Sequence, residues 1–267
     1  MTRPLIVGHR GAADLAPENT LAAFRRGLLE GADMLECDVH LSADGHDVIL
    51  HDATLDRTAQ AESPLRTGAV AELTRAQLDE VLVGDGEHIP ILAQVLDVAA
   101  SHPLDPSRCA PVLVEIKAPA AAERVAQILT ERFDQAALRG PDAPARVISF
   151  RIEALRRIRQ LAPAVPRGYI AGELTGTVLA EAVEVGAATL AIRASQLREG
   201  DFGRIRAAGI VPLIWSLRAE EHIRLAVDLG IPWLGADDPA RTRRLVEDQL
   251  GRAAASRPLT VPAPGAP

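Results

Sequence analysis

The chain has 267 residues, of which 48% are hydrophobic and 24% charged, with a formal net charge of -7 at pH 7. That composition is globular and rich enough in apolar residues for a sizeable core, and the acidic balance argues against nucleic acid or an anionic membrane as partner. The two cysteines, Cys37 and Cys109, show no metal-type spacing and no disulfide framework.

Taken in order, the chain opens with "MTRPLIVGHRG", whose apolar run is too short for a signal peptide, and no later run is long enough to span a bilayer. A cytoplasmic protein without stable membrane insertion is expected, its oligomeric state left open. Short apolar runs suited to strands then recur at 5–8, 34–39, 112–116, 146–150, 167–171, 189–193, 211–215 and 232–236. Amphipathic stretches near 19–30, 91–101, 121–133, 151–161, 175–185, 198–208, 218–229 and 239–250 alternate with them, for example with Leu155, Ile158 and Leu161 at helical spacing. Asn19 and Thr20, after Pro17, are N-cap candidates for the first helix. Repetition of strand and helix at this even interval predicts a (β/α)8 TIM barrel, an α/β fold, occupying residues 1–252 as one domain. Two segments depart from the rhythm. A hairpin return and roughly 35 further residues form an insertion at about 52–88, longer than an ordinary connection. The Pro-rich tail 253–267 is expected to be disordered.

Within the hairpin, "DMLECDVHLSADGHDVILHD" (33–52) turns at Asp44-Gly45, and a two-residue loop there would face Leu41 with Val48 and Asp38 with His51. Glu36 shares the face of Asp38, because strand side chains alternate. In "VEIK" Glu115 and Lys117 share one face, and His9 and Arg10 stand where the first strand ends. Barrel enzymes build their sites at that C-terminal rim. Three carboxylates gathered there repel one another unless a cation lies between them, and an all-oxygen set suits Mg²⁺ or Ca²⁺ better than Zn²⁺. Each group alone has a plainer reading: a structural histidine, a strand-end ion pair, an arginine bracing a carboxylate. Their convergence on one rim favours a site.

The strings "GHRGAADLAPENTLAAF", "GADMLECDVHLSADGHDVILHD", "LDRT", "IPILAQVL" and "VEIK", followed by "ISF", Trp215 and "GADDP", in this order strongly resemble the glycerophosphodiester phosphodiesterase family. The resemblance implies a barrel of the phosphatidylinositol-phospholipase-C-like type and hydrolysis of deacylated phospholipid diesters to glycerol 3-phosphate and an alcohol. It further implies His9 and His51 as the acid/base pair, and Glu36, Asp38 and Glu115 as ligands of one divalent cation. Arg10 and Lys117 would hold the phosphate, Trp215 would wall the substrate pocket, and the segment after His51 would cover the site. Trp215-Ser216-Leu217-Arg218 departs from the family's W-T-V-N run, so the contacts to glycerol or head group are expected to differ. The rival functions are a lysophospholipase D acting on acylated diesters and a non-catalytic phosphate-ligand binding protein.

Overall fold

The computed structural model describes residues 2–105, 108–140, 142–196 and 198–255. Eight parallel strands, β1 (Leu5–Gly8), β2 (Met34–Leu41), β3 (Val112–Ile116), β4 (Ala145–Ser149), β5 (Arg167–Ala171), β6 (Ala187–Arg193), β7 (Val211–Trp215) and β8 (Trp233–Ala236), pair in sequence order. Pairing of β8 with β1 and of β1 with β2 closes the ring. Eight helices pack outside it: α1 (Leu21–Leu29), α2 (Leu92–Ala100), α3 (Ala122–Arg132), α4 (Ile152–Leu161), α5 (Gly176–Glu184), α6 (Glu199–Ala207), α7 (Glu220–Asp228) and α8 (Pro239–Ala255). The protein is thus the TIM barrel that the alternation predicts. Where a disordered tail is expected from Ala253, α8 runs on to Ala255; the rest of that tail lies outside the described residues. No helix among the described residues is long and apolar enough to cross a membrane.

The two-residue period of the strands sorts side chains between two cores. Leu35, Cys37, Val39, Val112, Val114 and Ile116 point outward and pack with the helices. Val7, Met34, Leu113, Ile148, Ile170, Ala191, Leu213 and Trp233, one from each strand, fill the barrel interior. Continuing seven of the eight strands, all but β5, by two residues from that inward layer reaches His9, Glu36, Glu115, Phe150, Arg193, Trp215 and Gly235 at the rim, all of which line one cavity. The fold therefore delivers charged residues where a further apolar layer would otherwise be.

The hairpin differs from expectation in one respect. Val39 pairs with Ile49, His40 with Val48 and Leu41 with Asp47 in the return strand (Asp47–Ile49), one residue out of the expected register. Ser42 closes a three-residue loop, its amide donating to the His46 carbonyl at 2.9 Å, and Gly45 takes φ +79°. Such a loop suits a type I turn followed by a left-handed residue, which glycine adopts without cost. Asp38 consequently faces Leu50, whose amide donates to the Asp38 carbonyl at 3.1 Å, and not His51. His51 lies beyond the strand and still reaches the cavity.

The inserted segment folds on the hairpin with an apolar cluster of its own: Val48, Leu50, Leu55, Val70, Leu78, Val81, Val83 and Ile89. It contains a five-residue helix, Arg75–Asp79, closed by a capping box between Thr74 and Gln77. Of the N-cap candidates for α1, Thr20 caps, accepting from the Ala23 amide at 3.1 Å. Asn19, in the left-handed region at φ +58°, turns to a different task.

Candidate active site

The turn after β1 sets the first groups. Gly11, at φ +88°, lies so close to α1 that an added Cβ would stand 2.5 Å from the Ala23 carbonyl carbon, so only glycine fits. Arg10 beside it is also left-handed, at φ +50°. Its amide donates to Glu36 Oε2 at 2.9 Å, and its guanidinium reaches Glu18 at 3.0 Å and Asp38 at 3.4 Å. Asn19 Nδ2 donates to Asp38 Oδ2 at 2.8 Å, fixing that carboxylate from the other side.

Glu36, Asp38 and Glu115 are all buried, and each offers a ligand atom within 4.8 Å of the others'. Lys117 Nζ lies 2.8 Å from Glu115 Oε1 and 3.2 Å from Asp38 Oδ1. Taking a carboxylate out of water costs several kcal/mol, and one cation does not offset three of them. Burial, with the charge of Asp38, accordingly pushes the Glu36 and Glu115 carboxyls above their ordinary 4.5. Asp38 is held below its ordinary value because Lys117 and Arg10 outweigh its burial. Glu36 Oε1 is buried and accepts no hydrogen bond, and Asp38 Oδ1, equally buried, is met only by the ion pair with Lys117. Buried acceptors left short of partners, in an all-oxygen set, fit a hard divalent cation.

Each site histidine is tied by Nδ1 to a carboxylate. His9 Nδ1 donates to Asp237 Oδ1 at 2.5 Å, and Arg218 Nε holds Asp237 Oδ2 at 2.6 Å. His51 Nδ1 donates to Asp52 Oδ1 at 2.6 Å, and Arg57 Nε holds Asp52 Oδ2 at 2.6 Å. Nε2, the opposite nitrogen of each ring, remains for a ligand in the cavity. The two environments pull the imidazoles apart. Burial lowers His9, but the Asp237 hydrogen bond and the charge of Glu36 prevail, so its pKa stands above 6.5. At His51 burial, with Arg10 and Lys117, outweighs Asp38 and Asp52, and its pKa falls below 6.5. Groups whose environments split them in this way are suited to opposite halves of acid–base catalysis.

The cavity, about 260 Å³ in volume, thus gathers His9, Arg10, Glu36, His51, Glu115, Lys117 and Trp215, and Asp38 lies behind it. Every residue singled out in the sequence converges there. Asp237, Asp52, Asn19, Glu18 and Arg57 were given no site role. All five lie in the strings of the family resemblance, and Asp52, next to His51, and Asp237, in "GADDP", are the carboxylate neighbours that histidines at reactive sites need.

Acids arranged to hold a hard cation, beside imidazoles poised to move protons and cations for phosphate oxygens, define a phosphoric ester hydrolase on a TIM barrel. Residues 9–241 match the glycerophosphoryl diester phosphodiesterase family. A Mycobacterium tuberculosis protein named probable glycerophosphodiester phosphodiesterase 1 is 36% identical over 94% of both chains. The Caldanaerobacter subterraneus glycerophosphodiester phosphodiesterase is 26% identical over 91% of this chain and 98% of its own. Among solved structures, an Oleispira antarctica phosphodiesterase in complex with the product sn-glycerol-3-phosphate shares the fold, with a TM-score of 0.79, 24% identity and 92% and 97% coverage of the two chains. The Agrobacterium tumefaciens glycerophosphodiester phosphodiesterase superposes with a TM-score of 0.74 at 26% identity, over 91% of this chain and 99% of that one. The chain belongs to the glycerophosphoryl diester phosphodiesterase family, and it is a hydrolase of that kind.

Proposed function

We propose that the protein cleaves small water-soluble glycerophosphodiesters to glycerol 3-phosphate and an alcohol, with Mg²⁺ or Ca²⁺ held by Glu36, Asp38 and Glu115. The observation that carries the reading is the pair of carboxylate-anchored histidines with opposite pKa shifts on one cavity beside an unsatisfied acidic cluster. The bound cation supplies positive charge against the phosphoryl oxygens.

The chain's own residues account for the remaining steps. Lys117 and Arg10 orient the phosphate and offset its negative charge, which otherwise repels an incoming nucleophile. His51, neutral at pH 7 with Nδ1–H committed to Asp52, offers a bare Nε2 to take the proton of the nucleophile. His9, braced by Asp237 and with its pKa raised by it, is the group suited to give an Nε2 proton to the departing alkoxide. The indole of Trp215 forms part of the wall.

Release of glycerol 3-phosphate by the purified protein, supplied with either ion and a panel of glycerophosphodiesters, tests the reading. Binding of the diesters without release in any metal would mean a non-catalytic binding protein. Faster cleavage of acylated lysophospholipids than of their deacylated counterparts would mean a lysophospholipase D.

A further inference from the structure

Beside the reacting groups lies a cleft of about 520 Å³ between the ends of β6, β7 and β8. His9, Arg10, Arg193 and Trp215 border both spaces, so the two adjoin at those side chains. The charge of this cleft is distinctive. The carboxylates that line it among the described residues are Glu18 and Asp237, and both are committed. Glu18 takes Arg10 and Arg57, and Asp237 takes His9 and Arg218. Arg193, at the inward-facing end of β6, pairs with no carboxylate among the described residues; its guanidinium carbon lies 5.1 Å from the Trp215 ring centroid. Phe150 packs perpendicular to the same indole, with centroids 5.4 Å apart.

A quaternary or primary ammonium is recognised by an aromatic face or by a free carboxylate. Here the aromatic face carries a guanidinium and the carboxylates are spent. What the cleft does offer an oxygen is donors: the guanidinium N–H groups of Arg193, which pair with no carboxylate among the described residues, and the hydroxyls of Ser195 and Ser216. A charged donor with no free carboxylate beside it favours a ligand rich in oxygen.

We propose that this cleft receives an alcohol half that is oxygen-rich and not cationic, a polyol or a phosphorylated polyol, and that Arg193 selects it against choline and ethanolamine. The inference rests on the diesterase reading above and narrows its substrate class. Removing the guanidinium bares the indole face that an ammonium would use, so the preference depends on that one side chain.

The test compares kcat/KM for glycerophosphoglycerol and glycerophosphocholine in the metal-loaded protein and in Arg193→Gln and Arg193→Glu. The intact protein should favour glycerophosphoglycerol by about tenfold or more, and the ratio should shrink in the glutamine variant and invert in the glutamate one. Equal use of the two diesters by the intact protein would overturn the proposal, as would a preference that neither variant changes. Calorimetric binding of the two intact diesters to the unsubstituted protein keeps the comparison decisive if a variant is inactive. Failure to release glycerol 3-phosphate from any diester would defeat the diesterase reading instead, and the same binding comparison would still judge the preference of the cleft.

Discussion

Asp237→Asn isolates what the His9 anchor contributes. Asp237 is 1% exposed and sits between two donors, His9 Nδ1 at 2.5 Å and Arg218 Nε at 2.6 Å. An asparagine there keeps the shape but has one acceptor. Arg218 can only donate, so it claims the amide oxygen and turns the amide NH₂ toward His9 Nδ1. That nitrogen must then accept, and an imidazolium cannot accept. A hydrogen bond to a charged group contributes about 1.5–3 kcal/mol, and about 1.4 kcal/mol corresponds to one pKa unit. The His9 pKa should therefore fall by about 1–2 units, and kcat at pH 7 by about a hundredfold. The direction follows from the role: His9 acts protonated, its pKa is raised by Asp237, and lowering it moves the alkaline limb of the kcat/KM profile to more acid pH. Measuring that profile from pH 5 to 9, with thermal melting to show an intact fold, decides the matter. An unmoved alkaline limb with kcat within threefold of the unsubstituted enzyme would refute the role given to the pair.

Three further outcomes follow from the same geometry. His51→Ala should cost about 10²–10⁴-fold in kcat with melting nearly unchanged, since the side chain is partly exposed and lies outside the apolar clusters. Arg57→Ala removes the bridge between Asp52 and Glu18, and so loosens both His51 and Arg10. Because Arg57 is half-exposed, stability should fall by less than about 1 kcal/mol; kcat should drop by about tenfold, with partial rescue by lysine, and full activity in the alanine variant would contradict the bridge. The metal-free protein should lose thermal stability as pH rises between the ordinary 4.5 of a glutamate and about 8, to which burial pushes Glu36. In that window the folded state binds more protons than the unfolded one, so stability declines with pH. Divalent cation should restore it, and a flat melting profile in chelator would count against an unmet acidic cluster.

The alternation of apolar runs and amphipathic stretches made all eight strands and eight helices of the barrel readable within a residue or two at most ends, because each element buries one face at its own period. Glu36 and Glu115 were readable for the same reason, standing two positions beyond the inward apolar layer of their strands, whereas Trp215, at the same level, was legible only through the family resemblance. What escaped depended on single residues or on distance. The hairpin register turned on whether Asp44-Gly45 made the whole loop or shared it with Ala43, a difference of one position that alternation does not resolve. His51 reached the site although its expected partner across the hairpin did not face it. The anchor of His9 lies 228 residues away, and no local pattern joins the two. Asn19 read as a helix cap, yet the cap is Thr20, and Asn19 reaches Asp38 from the left-handed backbone that frees its side chain.

The separate apolar interior of the inserted segment has a bearing on how such proteins diversify. Its packing is settled among Leu55, Val70, Leu78 and their neighbours, and it meets the reacting groups through few side chains, His51, Asp52 and Arg57 among them. Drift in the outer parts of this lobe can proceed while the staves beneath, and the proton-handling chemistry they carry, stay as they are.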